Sequence, residues 1–204
     1  MSSIHNHFTT KRHNNDVNAT LERYANSCRR CSECDKDRVF FEPTDRRKAS
    51  KIIRDKYCIS YASPNLSELR AMAQFIDSPR CINIKNNSGF TEILELSAIV
   101  THVINFLVIT LGSKGVITIN HTGIKKIVRF YPSDPISKIE NVSGAGDCFA
   151  SGFIHGLLSG LNESQCMFIA FEAAKMALLS RKTVPNNLNL INSSLLNARY
   201  NELN

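Results

Sequence analysis

The chain has 204 residues, 43% hydrophobic and 21% charged, with a formal net charge of +7. That length suits one domain with a substantial core, and the composition fits a soluble globular protein. No apolar run approaches a membrane span, no secretory signal opens the chain, and seven scattered cysteines show no disulfide framework, so the expectation is a cytoplasmic protein with affinity for anions and without membrane or nucleic-acid partners.

Residues 1–37 are the least domain-like part and are expected to be poorly ordered, with a short helix near Ala19–Ala25. His, Asn, Thr and Ser dominate there, a composition that buries little. Cys28, Cys31 and Cys34 raise metal binding, but Arg38 stands where a ferredoxin-like run would place its fourth cysteine. His5, His7 and His13 would reach such a site only through a long loop, so no metal is expected.

From Arg38 the texture changes, and residues 38–204 read as the folded domain. Val39–Glu42 is a short apolar strand closed by Pro43, and Thr44 or Asp45 can cap a basic helix over Arg46–Lys56. Tyr57–Tyr61 is the next strand. Pro64-Asn65 opens a helix carrying Leu66, Leu69 and Met72, and a helix from Thr91 to about Asn105 precedes the buried strand Phe106–Leu111. Strand, helix, strand, helix, strand implies parallel pairing. Gly115–Asn120 and Lys125–Tyr131 alternate around Thr122-Gly123 as an antiparallel hairpin. Two apolar helices follow, the second over Glu163–Leu179, and a last short helix is expected near Ser193–Tyr200.

The most informative stretch is Asn141–Gly160, NVSGAGDCFASGFIHGLLSG. Phe149, Phe153 and Leu157 recur every fourth position, as do Gly152, Gly156 and Gly160, giving a helix with one apolar face and one flat face that can lie tightly against a sheet. Its first turn holds Gly144, Ala145, Gly146 and Asp147, where unobstructed N–H groups and the helix dipole favour a bound anion. Asp147 is either a helix-start acid or a base placed to take a proton beside a phosphoryl group. A dinucleotide fingerprint would need glycine where Phe149 stands, and a P-loop would need Gly-Lys-Ser/Thr, which the sequence lacks.

Two further motifs accompany it. Asn65 and Glu68 share one helical face and serve equally as a capping pair or as ligands orienting water around Mg²⁺. Thr110-Leu111-Gly112-Ser113-Lys114-Gly115 follows a buried strand; its glycines suit either close approach to a nucleotide or a plain strand-to-hairpin turn.

Gly-Ala-Gly-Asp opening an apolar helix, Asn-x-x-Glu and the Thr110–Gly115 turn, in this order, resemble the PfkB (ribokinase-like) carbohydrate kinase family. Val39–Asp45 and Ser63–Leu69 look most like its pseudouridine kinases. The resemblance implies an α/β fold, a three-layer sandwich with a mostly parallel sheet, and ATP-dependent phosphorylation of a sugar or nucleoside hydroxyl. It implies Asp147 as base, Gly144, Ala145 and Gly146 as anion hole, Thr110, Gly112 and Gly115 on the nucleotide, and Asn65 and Glu68 near Mg²⁺. It covers roughly Arg38–Pro185 and corresponds to the later half of such a kinase. The paired-glycine motif, the sugar-binding aspartate and the β lid have no counterpart in residues 1–37, so the implied fold is truncated on its N-terminal side. The alternative expectation is a catalytically inactive product that at most binds nucleotide.

Overall fold

A computed structural model describes residues 39–50, 53, 59–84, 89–122, 125–185 and 197–203. The Cys28–Cys34 run and the helix expected at Ala19–Ala25 lie outside the described residues, as does most of the basic helix expected over Arg46–Lys56. Of that helix, residues 46–50 form a turn. Asp45 takes the Arg47 and Lys48 N–H groups on Oδ1 at 2.6 and 3.2 Å, so it is the cap that the sequence suggested.

Six strands hydrogen-bond in the order β1 (Phe40–Phe41), β2 (Ile59–Ala62), β3 (Ile104–Thr110), β4 (Gly115–Thr122), β5 (Lys125–Pro132) and β6 (Asn201–Leu203). The described residues fall into two compact units, those up to Ile109 with Ile119–Lys126, and Thr110–Thr118 with those from Ile127 onward.

In the first unit β1, β2 and β3 run parallel, with Phe40 opposite Tyr61 and Tyr61 opposite Phe106. Helix α1 (Leu66–Ile76) buries Leu69, Met72 and Ala73, a spacing that puts one stripe inward. Arg70 on its outer side makes a two-pronged contact with Glu92, at 2.6 and 2.9 Å. Helix α2 (Ser78–Ile84) was not expected from the sequence, because Pro79 and the Asn-rich stretch read as loop. Its start is nonetheless well formed: Asp77 Oδ1 accepts from Arg80 N–H at 3.1 Å, and proline within a first turn forfeits no hydrogen bond. Helix α3 (Phe90–Val100) ends earlier than its apolar run suggested, since β3 already begins at Ile104.

In the second unit helices α4 (Ala145–Leu158) and α5 (Glu163–Leu178) pack closely. A Cβ on Gly152 would stand 2.9 Å from Ala170 Cα, and one on Gly156 2.8 Å from Cys166 Sγ. The flat glycine face thus lies against a helix and not against a sheet, because the bare Cα atoms of Gly152 and Gly156 admit the backbone of α5. Asn162 and Gln165 form a reciprocal cap at the start of α5. The helix expected near Ser193–Tyr200 is corrected where it is described: residues 197–200 are not helical, and β6 follows, antiparallel to β5. The β5 edge offers Asn201–Leu203 a ladder of backbone partners, which outweighs a weak local helical pattern.

Among the described residues no helix is long and apolar enough to cross a membrane, and no group of three or more His, Cys, Asp or Glu could hold a metal ion.

Candidate active site

Helix α4 opens as the sequence suggested. Gly144 is its N-cap with φ +79°, a conformation that costs glycine nothing and other residues strain. No side chain caps the helix. Cys148 N–H, bonded to Gly144 O at 2.9 Å, is the first amide to enter the helical ladder. The preceding amides of Ala145, Gly146 and Asp147 thus have no acceptor within the helix and form a donor set at the positive end of a 14-residue dipole. The amide of Asp147 is a member that sequence reasoning did not assign. Asp147 and Gly146 are exposed, Gly144 and Ala145 half-buried.

Three hydrogen bonds hold this opening in place. Asn141 Oδ1 accepts from Ser143 N–H at 2.9 Å, bending the approach to the helix. The Leu178 carbonyl at the end of α5 accepts from Glu140 and Asn141 N–H at 2.9 and 3.3 Å. Thr183 lies against Gly144, with its carbonyl oxygen 2.5 Å from where a Cβ would stand. Cys148, Ala145, Ala173 and Ala177 pack beneath, and burial pushes the Cys148 thiol up, so it is a packing group rather than a nucleophile.

The turn from Thr110 belongs to the same unit. Thr110 ends β3, Gly112–Lys114 is a single 3₁₀ turn, and Leu111 N–H bonds the Gly115 carbonyl at 2.9 Å. Gly112 has φ +61° and open space around its Cα, so a ligand can approach it. Gly115 has φ +117°, and a Cβ there would fall on the Tyr131 carbonyl and 2.9 Å from Pro132 Cα. Its bare Cα is thus already used by the protein.

Asn65 and Glu68 lie in the other unit and cap α1 reciprocally: Asn65 Oδ1 accepts from Glu68 N–H at 3.0 Å, and Glu68 Oε2 from Asn65 N–H at 2.9 Å. The Glu68 side chain is almost fully buried, at 5% exposure. Burial raises its carboxyl above the ordinary range, the Asn65 hydrogen bonds pull it back, and the charge of Asp45 raises it again. A buried carboxylate disfavoured in its charged form, with a second carboxylate acting on it, is a donor set that a hard divalent cation would relieve. These residues fit Mg²⁺ held through water, and they also fit a cap.

Sequence reasoning missed one cluster. Glu163 gathers Thr118, Arg129 and Tyr131 in the second unit. From the sequence Glu163 was only a helix start, and nothing in local pattern links it to residues 30 to 45 positions away.

Several known proteins resemble this chain in sequence or in fold. The model of the pfkB family carbohydrate kinases matches residues 13–189, beginning well ahead of Arg38. A pseudouridine kinase from Arabidopsis thaliana is 22% identical over 83% of this chain and 57% of its own length. Among solved structures, a ribokinase from Cryptococcus neoformans in complex with ADP has a TM-score of 0.56 at 21% identity, covering 74% of this chain and 50% of its own. An adenosine kinase from Schistosoma mansoni in complex with 2-fluoroadenosine has a TM-score of 0.57 at 15% identity, covering 85% and 49%. The chain spans about half the length of these relatives. At such identities the structural likeness establishes the fold, a ribokinase-like α/β architecture.

Proposed function

The chain belongs to the pfkB family of carbohydrate kinases, and from that premise we propose that its site serves ATP-dependent phosphoryl transfer to a sugar or nucleoside hydroxyl, with pseudouridine as the nucleoside. The observation that carries the reading is the start of α4: a glycine-opened helix without a side-chain cap, its free amides beside the exposed carboxylate of Asp147. Packing against Thr183 requires glycine at 144, but nothing in the packing requires the bare Gly146 or the exposed carboxylate, whereas phosphoryl transfer uses both free amides and a base.

In the reaction, the acceptor hydroxyl oxygen bonds the γ-phosphorus of ATP while the bond from that phosphorus to the β–γ bridging oxygen breaks, releasing ADP. The Asp147 carboxylate takes the hydroxyl proton. The amides of Ala145, Gly146 and Asp147, with the Gly144 cap fixing their direction, donate to the equatorial phosphoryl oxygens. Thr110 and the open Gly112 line the approach of the nucleotide. Mg²⁺, when bound, would neutralise charge on the phosphates, and Asn65 and Glu68 are the residues that would hold its water shell. The pseudouridine assignment is supported by the Arabidopsis relative and by the Val39–Asp45 stretch.

A second reading, nucleotide binding without transfer, needs only the donor set at the start of α4 and the Thr110–Gly115 turn. One experiment separates the two. Calorimetric titration with Mg·ADP measures binding, and transfer of labelled phosphate from ATP to pseudouridine or ribose measures turnover. Binding with transfer supports the kinase, and binding alone supports the second reading. No heat at millimolar Mg·ADP in folded protein removes the anion-hole assignment and both readings with it.

A further inference from the structure

Glu163, the first residue of α5, is the acceptor at which three elements meet. Its Oε1 accepts from Thr118 Oγ1 of β4 at 2.6 Å and from the Tyr131 hydroxyl of β5 at 2.9 Å. Its Oε2 accepts from Arg129 Nη1 at 2.7 Å. Thr118 and Tyr131 are almost wholly buried. Burial and the charge of Glu163 hold the Tyr131 phenol far above its ordinary range, so it remains a proton donor to Glu163 at every physiological pH. A half-buried carboxylate with three donors, two of them almost wholly buried, makes those donors costly to displace.

The C-terminal residues complete this cluster. β6 pairs antiparallel with β5, placing Glu202 opposite Arg129 and its Oε2 3.6 Å from Arg129 Nε. Tyr200 lays its ring over the Arg129 guanidinium, 4.8 Å from the centroid, and against the Tyr131 ring at 5.3 Å. Ser164 Oγ donates to the Ala198 carbonyl at 2.8 Å, and Ala198 N–H to the Ser164 carbonyl at 3.0 Å. A cavity of about 760 Å³ bordered by Arg129, Ser164, Arg199 and Tyr200 remains beside this segment. The segment is therefore held by these named contacts more than by continuous packing.

Tyr131 faces two ways. Its side chain joins the cluster, while its backbone carbonyl fills the space beside the Cα of Gly115. Gly115 closes the Thr110–Gly115 turn through the Leu111 hydrogen bond. With positive φ at both Gly112 and Gly115, the turn is conformationally permissive by itself and depends on what it rests upon. It rests on Tyr131.

We propose that the C-terminal segment Asn197–Leu203 is a positioning strap for the nucleotide-binding turn, acting through Tyr200, Arg129 and Tyr131. The proposal rests on the reading of Thr110–Gly115 as that turn. Tyr200 touches no substrate; it fixes Arg129 and Tyr131, and the Tyr131 backbone fixes the turn. Removing the ring leaves Arg129 held only by its contacts with Glu163 and the half-exposed Glu202, and frees the end of β5 to shift beneath Gly115.

The test compares the wild type with Tyr200→Ala, Tyr200→Phe and Glu202→Gln by hydrogen exchange of a peptide spanning residues 110–116, by Mg·ADP titration and by melting temperature. Tyr200→Ala is expected to raise exchange of that peptide and to weaken Mg·ADP binding, each by about three- to tenfold. Tyr200→Phe keeps the ring and restores wild-type values, since the ring contacts with Arg129 and Tyr131 carry the strap and the hydroxyl makes no hydrogen bond among the described residues. Glu202→Gln, on a half-exposed side chain, shifts exchange in the same direction by a smaller factor, and it answers the question should Tyr200→Ala not fold. A lower melting temperature with unchanged exchange at 110–116 in Tyr200→Ala, or in Glu202→Gln alone should the former not fold, overturns the strap and leaves the segment a stability element. Absence of Mg·ADP binding in the wild type overturns the nucleotide reading instead, and the exchange measurement still decides whether the strap acts on the turn.

Discussion

Gly146 offers a sharp test, because two physical expectations for it oppose each other. It sits in the first turn of α4, is exposed, and has ordinary helical φ with nothing within 4 Å of where a Cβ would stand. In the free protein Gly146→Ala removes only the conformational freedom of an unfolded glycine, a gain of about 0.5–1 kcal/mol. For a domain of this size that raises the melting temperature by about 1–4 °C. With nucleotide the sign reverses if phosphoryl oxygens approach this Cα. At ligand equal to about 100 times the wild-type Kd, binding adds about 2.7 kcal/mol to the wild type. A tenfold weaker Kd in the variant forfeits about 1.3 kcal/mol of that, more than the helical gain. The two melting curves therefore exchange order on adding Mg·ADP, which a thermal-shift assay reads directly. A variant that keeps its advantage with saturating nucleotide would refute the placing of Gly146 on the ligand side. A variant less stable in the free protein would refute the account of the helix start itself.

Three other expectations follow from the same contacts. Gly152→Val should cost about 1–3 kcal/mol, because its Cβ meets the Ala170 backbone, and α4 and α5 would have to part; an unchanged denaturation midpoint would contradict that packing. Asp147→Asn should lower turnover by about 10²- to 10⁴-fold in any preparation that transfers phosphate. Its stability should change by no more than about 1 kcal/mol, and near-full turnover at equal melting temperature would make Asp147 a helix cap. For Glu68 the folded carboxyl titrates above its unfolded value of 4.5, so the folded state binds the extra proton and its stability falls as pH rises through the folded pKa. Glu68→Gln keeps an acceptor for Asn65 N–H and should flatten that fall, gaining on the wild type as pH rises from 4 to 7; a constant difference across that range would remove the burial argument.

Legibility in the sequence followed the range of the interactions. The α1 cap was readable because Asn65 and Glu68 are three residues apart and both partners lie in view. The start of α4 was readable for the same reason. The helix expected near Ser193–Tyr200 and the strand found at Asn201–Leu203 differ because the strand's partner, Val128–Phe130, lies some seventy positions earlier. Helix α2 escaped notice since Asp77-Ser78-Pro79 is as good a turn opening as a helix opening, and what decides is the burial of Cys81 and Ile84, which tertiary packing supplies. The Glu163 cluster was illegible altogether. Its four residues sit on three elements, and each looks ordinary where it stands.

The glycines show how the structure turns a motif into a site. In the sequence Gly112, Gly115, Gly144 and Gly146 carry the same message, a backbone that something approaches closely. The structure divides them. Gly115 is approached by Tyr131 and Gly144 by Thr183, so both are occupied by the protein and set the course of the chain at positive φ. Gly112 and Gly146 have nothing near them and are exposed. A glycine without a packing partner is costly to retain for stability alone, about 0.5–1 kcal/mol at a helical position such as Gly146. The open pair is where the argument for a ligand is strongest, and the filled pair explains why the open pair is aimed as it is. Substitutions should therefore sort by pair. Changes at Gly115 and Gly144 should cost stability whether or not nucleotide is present. Changes at Gly146 should be felt chiefly when it is, whereas changes at Gly112, at φ +61°, should cost backbone strain without nucleotide and more with it.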